Sequence, residues 1–217
     1  MAMLKRRELL QLSGLAAAGY GVGMALRMTA PPAGRDLGDD PRARALLRDG
    51  SAPAEGPRDA DVVLVLFTDY QCPACRKAAP ALAAAMREDG GVRVLYRDWP
   101  IFGPRSEQAA RVALAAGRQG LYAQVHHGLM ADRRRLDPPV LRAVAEAAGG
   151  DWARLERDMA ADRAAVDRAF RKTRDDAYAL GIAGTPAYLI GSKLVIGAIG
   201  RRQFRRAFAD ARAAISG

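Results

Sequence analysis

The chain contains only two cysteines, and both lie in one short stretch, FTDYQCPACRKAAPAL at residues 67–82. Cys72 and Cys75 are separated by Pro73 and Ala74. Two sulfur atoms at this spacing could bind a metal ion, form a structural cross-link, or exchange electrons as a dithiol–disulfide pair. The residues around the pair discriminate among these three kinds of chemistry.

A metal site and a structural cross-link both have little support. A structural zinc site needs four ligands, and the two histidines of the chain are the neighbours His126 and His127. Neighbouring side chains on a helix point in different directions, so we expect partly exposed helix residues there and not metal ligands. A disulfide that encloses two residues closes almost no loop and stabilises little. We therefore predict a redox role for Cys72 and Cys75, with no metal.

The elements around the pair should place Cys72 where a thiolate is stabilised. The apolar run at residues 61–69 predicts a strand buried on both faces, and the segment from Pro73 to about Glu88 predicts a helix. Proline is favoured at the first helical position, which puts Cys72 near the N-cap. Free N–H groups and the helix dipole stabilise negative charge there. We predict that Cys72 is the exposed attacking sulfur and Cys75 the shielded resolving one.

The downstream sequence predicts the rest of an α/β fold. GVRVLYRD at residues 91–98 alternates as a strand does, which completes a right-handed βαβ unit. The stretch from Ser106 to Leu180 shows only helical patterns. AYLIGSKLVIGAI, residues 187–199, predicts a hairpin that turns at Gly191 and Ser192. Apolar residues spaced along the last segment predict an amphipathic helix; they are Phe204, Ala207, Phe208, Ala211 and Ile215.

This order of elements predicts one α/β domain, residues 61–104 and 181–217, interrupted by an all-helical insertion at residues 105–180. Residues 31–60 contain five Pro and four Gly with few large apolar residues, and we expect a linker there. Within that segment RALLRDG, residues 44–50, could form a short helix or an added edge strand, and the sequence leaves both open.

The first 30 residues predict an export signal or a membrane tether. The basic start Lys5–Arg7 precedes an uncharged, mostly apolar run of 15 residues, Leu12–Leu26, which suits a signal-peptide core and is short for a spanning helix. KRRELLQ is also similar to a twin-arginine export signal, and an ordinary basic signal stays equally open. Because the residues before Pro31 form a poor cleavage site, the segment could remain as a tether.

The net charge of +10 comes mostly from arginine. The basic residues are scattered and often adjacent to Asp or Glu, which is typical of solvated helix faces. The tight basic run Arg133–Arg135 lacks the interleaved aromatic residues that single-strand binders use. We expect no nucleic-acid partner.

Three segments resemble the bacterial DsbA-like thiol–disulfide oxidoreductases, which are thioredoxin folds with a helical insertion. They are VLVLFTDYQCPAC, VLYRDWPIFGPRSEQAARVALAAGRQGLYAQVHHGLM and LGIAGTPAYLIGSKLVIGA, and the likeness covers about residues 58–215. The resemblance implies a thioredoxin-like fold and disulfide exchange through Cys72 and Cys75. It also implies that Thr185 and Pro186, joined by a cis peptide bond, face the cysteine pair and offer backbone groups to an extended substrate peptide.

The chain departs from this family at one buried position. Many relatives carry a carboxylate six residues before the first cysteine, where this chain has Leu66. An acid there would move protons to and from the resolving cysteine, so the sequence does not show which group does so in this chain. Leu66 and Thr185 are closer to the disulfide-isomerase relatives. Asp69 lies nearer to Cys72, and we expect it to cap the helix. Ala74 brings neither a charge nor a hydrogen-bond donor, which predicts a less oxidising pair than one with histidine there.

We therefore predict an exported enzyme, a protein disulfide oxidoreductase that acts on cysteine-containing exported proteins in the periplasm or outside the cytoplasm. A membrane or periplasmic redox partner would restore its oxidation state; we expect no cofactor and a monomer. Whether it donates, isomerises or reduces disulfides stays open. The alternatives are a copper carrier with Cys72 and Cys75 as soft ligands and a scaffold without exchange chemistry.

Overall fold

A computed structural model of the chain describes residues 34–216, without the side chains of residues 215 and 216. The predicted export signal at residues 1–30 lies outside the described residues. Within residues 34–216, none of the helices combines the length and the hydropathy that a membrane span requires.

Six strands in the described part of the chain form one mixed sheet. They are β1 (Gly34–Asp36), β2 (Ala54–Glu55), β3 (Val62–Thr68), β4 (Val92–Asp98), β5 (Ala187–Ile190) and β6 (Lys193–Ile196). Their order across the sheet is β1-β6-β5-β3-β4-β2, with β3 parallel to β4 and every other pair antiparallel. The predicted hairpin is β5–β6, and Gly191 in its turn has φ 55°, a conformation that glycine adopts without strain.

The helices follow the predicted order. Those described are α1 (Pro41–Leu47), α2 (Pro73–Asp89), α3 (Pro104–Gly117), α4 (Tyr122–Ala131), α5 (Pro138–Ala147), α6 (Trp152–Ala161), α7 (Arg163–Ala179) and α8 (Arg201–Ser216). α2 connects the parallel strands β3 and β4, and α3 to α7 all lie between β4 and β5. The α/β fold class and the helical insertion are therefore confirmed.

Strand β3 is buried on both faces, as its continuous apolar sequence predicts. Leu64 and Leu66 belong to the core between the sheet, α2, α8 and the insertion helices. Val65 and Phe67 belong to a second core that includes residues of α1 and α7. Full burial of such a side chain contributes roughly 1.5–3 kcal/mol, so two apolar layers hold β3 and the turn that follows it.

Residues 34–60 are part of this fold and not the linker that their composition predicts. β1 pairs with β6 and β2 pairs with β4, so the segment supplies the outer strand at each edge of the sheet. Between them α1 buries Ala43 and Leu46 in the second core. The composition was misleading because Pro and Gly also mark the turns between very short elements. Pro41, for example, starts α1 directly after its N-cap, Asp40.

Truncation of Leu46, which is 2% exposed, tests this correction. Leu46→Ala should lower the free energy of unfolding by about 2–4 kcal/mol, because truncation of a buried leucine leaves a cavity. Arg44→Ala, at an exposed position of the same helix, should stay within about 0.5 kcal/mol. Urea unfolding followed by circular dichroism measures both variants. Equally small effects would indicate that the segment is a linker in solution.

Candidate active site

Cys72 is the N-cap residue of α2, and Pro73 is the first helical residue, as predicted. The sulfur of Cys72 accepts a hydrogen bond from the backbone N–H of Cys75 at 3.3 Å. As a thiol it also donates to the carbonyl oxygen of Thr185 at 3.3 Å. An N–H group at a helix N-terminus favours the ionised sulfur. Both cysteines are unbridged in the structure.

Cys72 is less accessible than predicted. The residue is 2% exposed, against 3% for Cys75, so exposure does not distinguish the two cysteines. The peptide of Thr185 lies beside the sulfur of Cys72 and limits access to it, whereas Pro73 is exposed. A partner thiol must therefore approach Cys72 along this loop.

The protonation of the two sulfurs does distinguish them. Hydrogen bonds from the Cys75 thiol and from the N–H groups of Cys75 and Ala74 lower the pKa of Cys72 to about 6. The same interaction with Cys72, together with burial, raises the pKa of Cys75 well above its ordinary value. At neutral pH the pair therefore holds one reactive thiolate and one thiol.

The structure brings all the predicted site residues together. The Thr185–Pro186 peptide bond is cis, as the resemblance implies, and the loop that contains it leads directly into β5. The hydroxyl oxygen of Thr185 is buried and has no hydrogen-bond partner among the described residues. Pro73 and Ala74 form the first turn of α2 between the two cysteines.

Asp69 has a different role from the predicted helix cap, because Cys72 occupies that position. Asp69 is 1% exposed. Its carboxylate accepts four hydrogen bonds, from the N–H groups of Gln71 (2.6 Å), Ile101 (2.6 Å) and Phe102 (3.1 Å) and from the hydroxyl of Ser106 (2.7 Å). These bonds compensate the burial of its charge. Asp69 thus fastens the turn before Cys72 to the loop that enters the insertion.

A buried polar cluster lies on the insertion side of the sheet. The hydroxyl of Tyr122 donates to Oδ2 of Asp98 at 3.0 Å, and the hydroxyl of Tyr70 donates to that of Tyr122 at 3.4 Å. Nδ1 of His126 lies 3.1 Å from the hydroxyl of Tyr70. Burial raises the pKa of Asp98 to about 7, although the hydrogen bond from Tyr122 opposes the change.

The patterns of the sequence do not predict this cluster as a whole. The sequence predicts a partly exposed His126, but this residue is 2% exposed. His127 is half-buried, as predicted, and its Nε2 lies 2.8 Å from the carboxylate of Glu55. The alternation of β4 carried a usable signal. Its buried residues Val92, Val94 and Tyr96 lead with period two to Asp98 on the same face of the strand.

The helix-capped cysteine pair beside a cis-proline loop, on a sheet with this order, defines a thioredoxin-like thiol–disulfide exchange site. Residues 63–209 match the model of the DSBA-like thioredoxin domain. The match includes more than half of the chain, and the chain belongs to this family, whose members are thiol–disulfide oxidoreductases.

Solved structures agree with this assignment. A thioredoxin-like oxidoreductase from Silicibacter pomeroyi DSS-3 is 36% identical, with a TM-score of 0.73 over 78% of this chain and 96% of that chain. The catalytic domain of ScsC from Proteus mirabilis is 26% identical, with a TM-score of 0.70 over 80% of this chain and 96% of that chain. A periplasmic thioredoxin-like protein from Salmonella enterica serovar Typhimurium is 26% identical, with a TM-score of 0.68 over 80% and 98% of the two chains.

The curated relatives are longer proteins. The Na(+)/H(+) antiporter NhaA 1 of Salinispora arenicola is 32% identical over 140 residues, which are 64% of this chain and 21% of the antiporter. The corresponding protein of Mycobacterium sp. (strain KMS) is 30% identical over 142 residues, 64% of this chain and 23% of that protein. The chain thus spans about a fifth of the length of the curated relatives it matches, and antiport is the named property of those proteins.

Titration of the reduced protein should show one thiolate with a midpoint near pH 6, the pKa that the contacts of Cys72 produce. Ultraviolet absorbance of the thiolate measures it, and Cys72→Ala should remove the transition. Cys75→Ala should shift the midpoint upward, because the Cys75 thiol is the strongest stabilising contact. A midpoint near the value of about 8.5 for an ordinary cysteine would contradict this account of the site.

Asp69→Ala should lower the free energy of unfolding by about 3 kcal/mol, because it removes the acceptor of three part-buried N–H groups and of the buried hydroxyl of Ser106, and an unsatisfied buried group costs about 1–3 kcal/mol. Asp69→Asn keeps one acceptor oxygen and should cost less. Asp39→Ala removes an exposed carboxylate and serves as the control. Thermal and urea unfolding of the three variants measure the difference, and equal stabilities would show that Asp69 does not fasten the loop.

Proposed function

We propose that this protein is an exported disulfide oxidoreductase that exchanges disulfides with cysteine-containing exported proteins through Cys72 and Cys75. The observation that carries the proposal is the position of Cys72. Its sulfur lies at the N-terminus of α2 and accepts a hydrogen bond from the N–H of Cys75 at 3.3 Å, and its hydrogen bonds lower its pKa to about 6. Such a sulfur is ionised at neutral pH and is the species that attacks a disulfide.

The exchange begins when a client thiolate attacks the sulfur of Cys72 in the oxidised protein. The Cys72–Cys75 bond breaks, Cys75 leaves and takes up a proton, and a mixed disulfide joins Cys72 to the client. A second client thiolate can then attack the client sulfur, which oxidises the client and releases Cys72 as a thiolate. Alternatively Cys75 attacks Cys72 and returns the client thiol, which restores the Cys72–Cys75 disulfide.

Two features support binding of an extended or partly folded client next to Cys72. Thr185 and Pro186 would offer backbone groups for a short pairing with the client chain. Ile101 and Phe102 are 42% and 53% exposed while Asp69 holds their backbone. Their side chains form an apolar surface beside the turn that carries Cys72, suited to the apolar residues of a client that is not yet folded.

The basic and apolar pattern of residues 1–30 supports export, and the matched Salmonella protein is described as periplasmic. A membrane or periplasmic redox partner would reset the pair. Residues 34–60 pack on the sheet of their own chain, which supports a monomer.

The pKa of Cys72 near 6 lies between those of strongly oxidising and reducing pairs, and Ala74 adds no donor. We therefore expect a reduction potential between about −120 and about −270 mV.

Equilibration of the purified protein against glutathione buffers tests the proposal. After thiol trapping, the mass of the wild type should show a Cys72–Cys75 disulfide with a midpoint in the expected range. Cys75→Ala should instead accumulate a glutathione adduct on Cys72, because the resolving sulfur is missing, and Cys72→Ala should form neither product efficiently. Absence of the internal disulfide at every poise would overturn the proposal, and Cu(I) binding in its place would support the carrier.

A further inference from the structure

The resolving sulfur needs a route for its proton. Cys75 must lose a proton before it attacks Cys72 and must regain one when the disulfide opens, provided that the pair exchanges disulfides as proposed above. Cys75 is 3% exposed, and Leu66, which lies near it, has no group that can accept a proton. The groups that could do so must lie around the buried side of Cys75.

A small cavity borders Cys75. Its volume is about 20 Å³, and its wall includes Cys75, Thr68, Leu66 and His126. A cavity of this volume accommodates about one water molecule, and such a water needs polar groups around it. The thiol of Cys75, the hydroxyl of Thr68 and the ring of His126 are groups of that kind.

His126 connects this cavity to a chain of hydrogen bonds. Burial lowers the pKa of His126 to about 3, so the ring is neutral, with one donor and one acceptor nitrogen. The hydroxyl of Tyr70 donates to Tyr122, which donates to Asp98. In the tautomer with Nδ1 protonated, the ring donates to the oxygen of Tyr70, 3.1 Å away, and Nε2 is an acceptor; the relay uses this tautomer. All four residues are at most 6% exposed.

We propose that His126, Tyr70 and Tyr122 relay a proton between the thiol of Cys75 and the carboxylate of Asp98. When the disulfide closes, the Cys75 proton passes through one water to Nε2 of His126, and Nδ1 gives its proton to Tyr70. Tyr70 gives its own to Tyr122, and Tyr122 gives its own to Asp98. Cys75 becomes a thiolate, Asp98 becomes a neutral acid, and every member between them keeps its proton count. The opposite transfer accompanies opening.

The surroundings of Asp98 suit it to hold this proton for a short time. The titratable groups that face it are Tyr70 and Asp69 from the turn after β3, Tyr122 from α4 and Tyr96 from its own strand. Burial and the charge of Asp69 favour the protonated acid, and its Oδ1 is buried with no hydrogen-bond partner among the described residues. A pKa near 7 leaves both forms populated at neutral pH.

Asp98, which is 6% exposed, also borders a surface cleft. The cleft has a volume of about 200 Å³, and Cys75 is not among its lining residues. The cleft also includes Lys172 of α7, which is paired with Asp176, and the exposed Ser51. In the proposed relay, this cleft is the route by which Asp98 exchanges its proton with water without passing Cys72.

A second carboxylate provides a matched comparison. Glu55 contacts Nε2 of His127, at 2.8 Å, and the hydroxyl of Tyr96, at 2.5 Å, and His127 and Tyr96 also border the small cavity. Through these two residues, Glu55 offers an alternative proton acceptor next to the same cavity. Hydrogen bonding to His127 lowers the pKa of Glu55, so it holds a proton poorly at neutral pH.

The test is the rate at which Cys75 resolves the mixed disulfide between Cys72 and glutathione. The full chain, reduced and then mixed with oxidised glutathione, is quenched with acid at intervals and analysed by mass. Cys72 has no titratable proton in this adduct, so its own pKa does not enter the profile. In the wild type the rate should rise with pH through an inflection near pH 7, where Asp98 loses its proton.

Asp98→Asn should remove that inflection and slow resolution at neutral pH by about 10²-fold, the lower range for loss of a general base. Glu55→Gln, the matched carboxylate-to-amide control, should keep the wild-type profile. An unchanged profile in Asp98→Asn, or the same loss in Glu55→Gln, would overturn the relay. If the wild type formed no internal disulfide, the proposed function would fail, and the relay with it. An internal disulfide that forms without the expected pH profile would overturn the relay alone.

A second pair of variants covers the case in which Asp98→Asn folds poorly. Tyr122→Phe interrupts the chain of hydroxyls, and Tyr96→Phe removes a hydroxyl that is bound to Glu55 in the same aromatic cluster. We expect Tyr122→Phe to lose the inflection and Tyr96→Phe to retain it. Equal profiles in these two variants would contradict the relay through Tyr122.

Discussion

The carboxylate of Asp69 joins three parts of the protein that must keep a fixed relation for the site to exist. It lies at the end of the central strand, it stabilises the turn that carries Cys72, and it binds the N–H groups of Ile101 and Phe102. It also accepts from Ser106 in the first turn of α3. The orientation of the cysteine pair, the apolar loop beside it and the start of the insertion therefore depend on one buried acid.

With that turn in place, the chemistry of the pair follows from its position on α2. The same contact between the two sulfurs stabilises the ionised form of Cys72 and disfavours that of Cys75. The protein thereby keeps a nucleophile available while it protects the resolving sulfur from ionising early. That protection also makes the departure of the Cys75 proton the step for which the buried polar cluster matters.

Much of this arrangement could be predicted from local sequence patterns. The two-sided burial of β3, the N-cap position of Cys72 and the all-helical insertion all depend on periodicity, on proline and on neighbours close in sequence. The prediction of a cis bond before Pro186 depended on the family resemblance, since propensity favours the trans form for any X–Pro bond.

The errors concern contacts between residues distant in sequence. The burial of His126 and the four hydrogen bonds of Asp69 depend on which helices pack over the sheet, and no local pattern encodes that. Residues 34–60 were misjudged for the same reason, because strands of two or three residues have too few positions to show alternation. The covering of Cys72 likewise arises from Thr185, which lies more than a hundred residues further along the chain.

The two short strands of that segment have a consequence for self-association. An unpaired sheet edge is a template on which another extended chain can grow into an aggregate. Here β1 and β2 occupy the two edges, with three and two paired residues in the described part of the chain. Neither edge offers a long row of free backbone groups. A protein that meets unfolded clients can thus engage them beside its cysteines while its own sheet resists becoming the nucleus of a fibril.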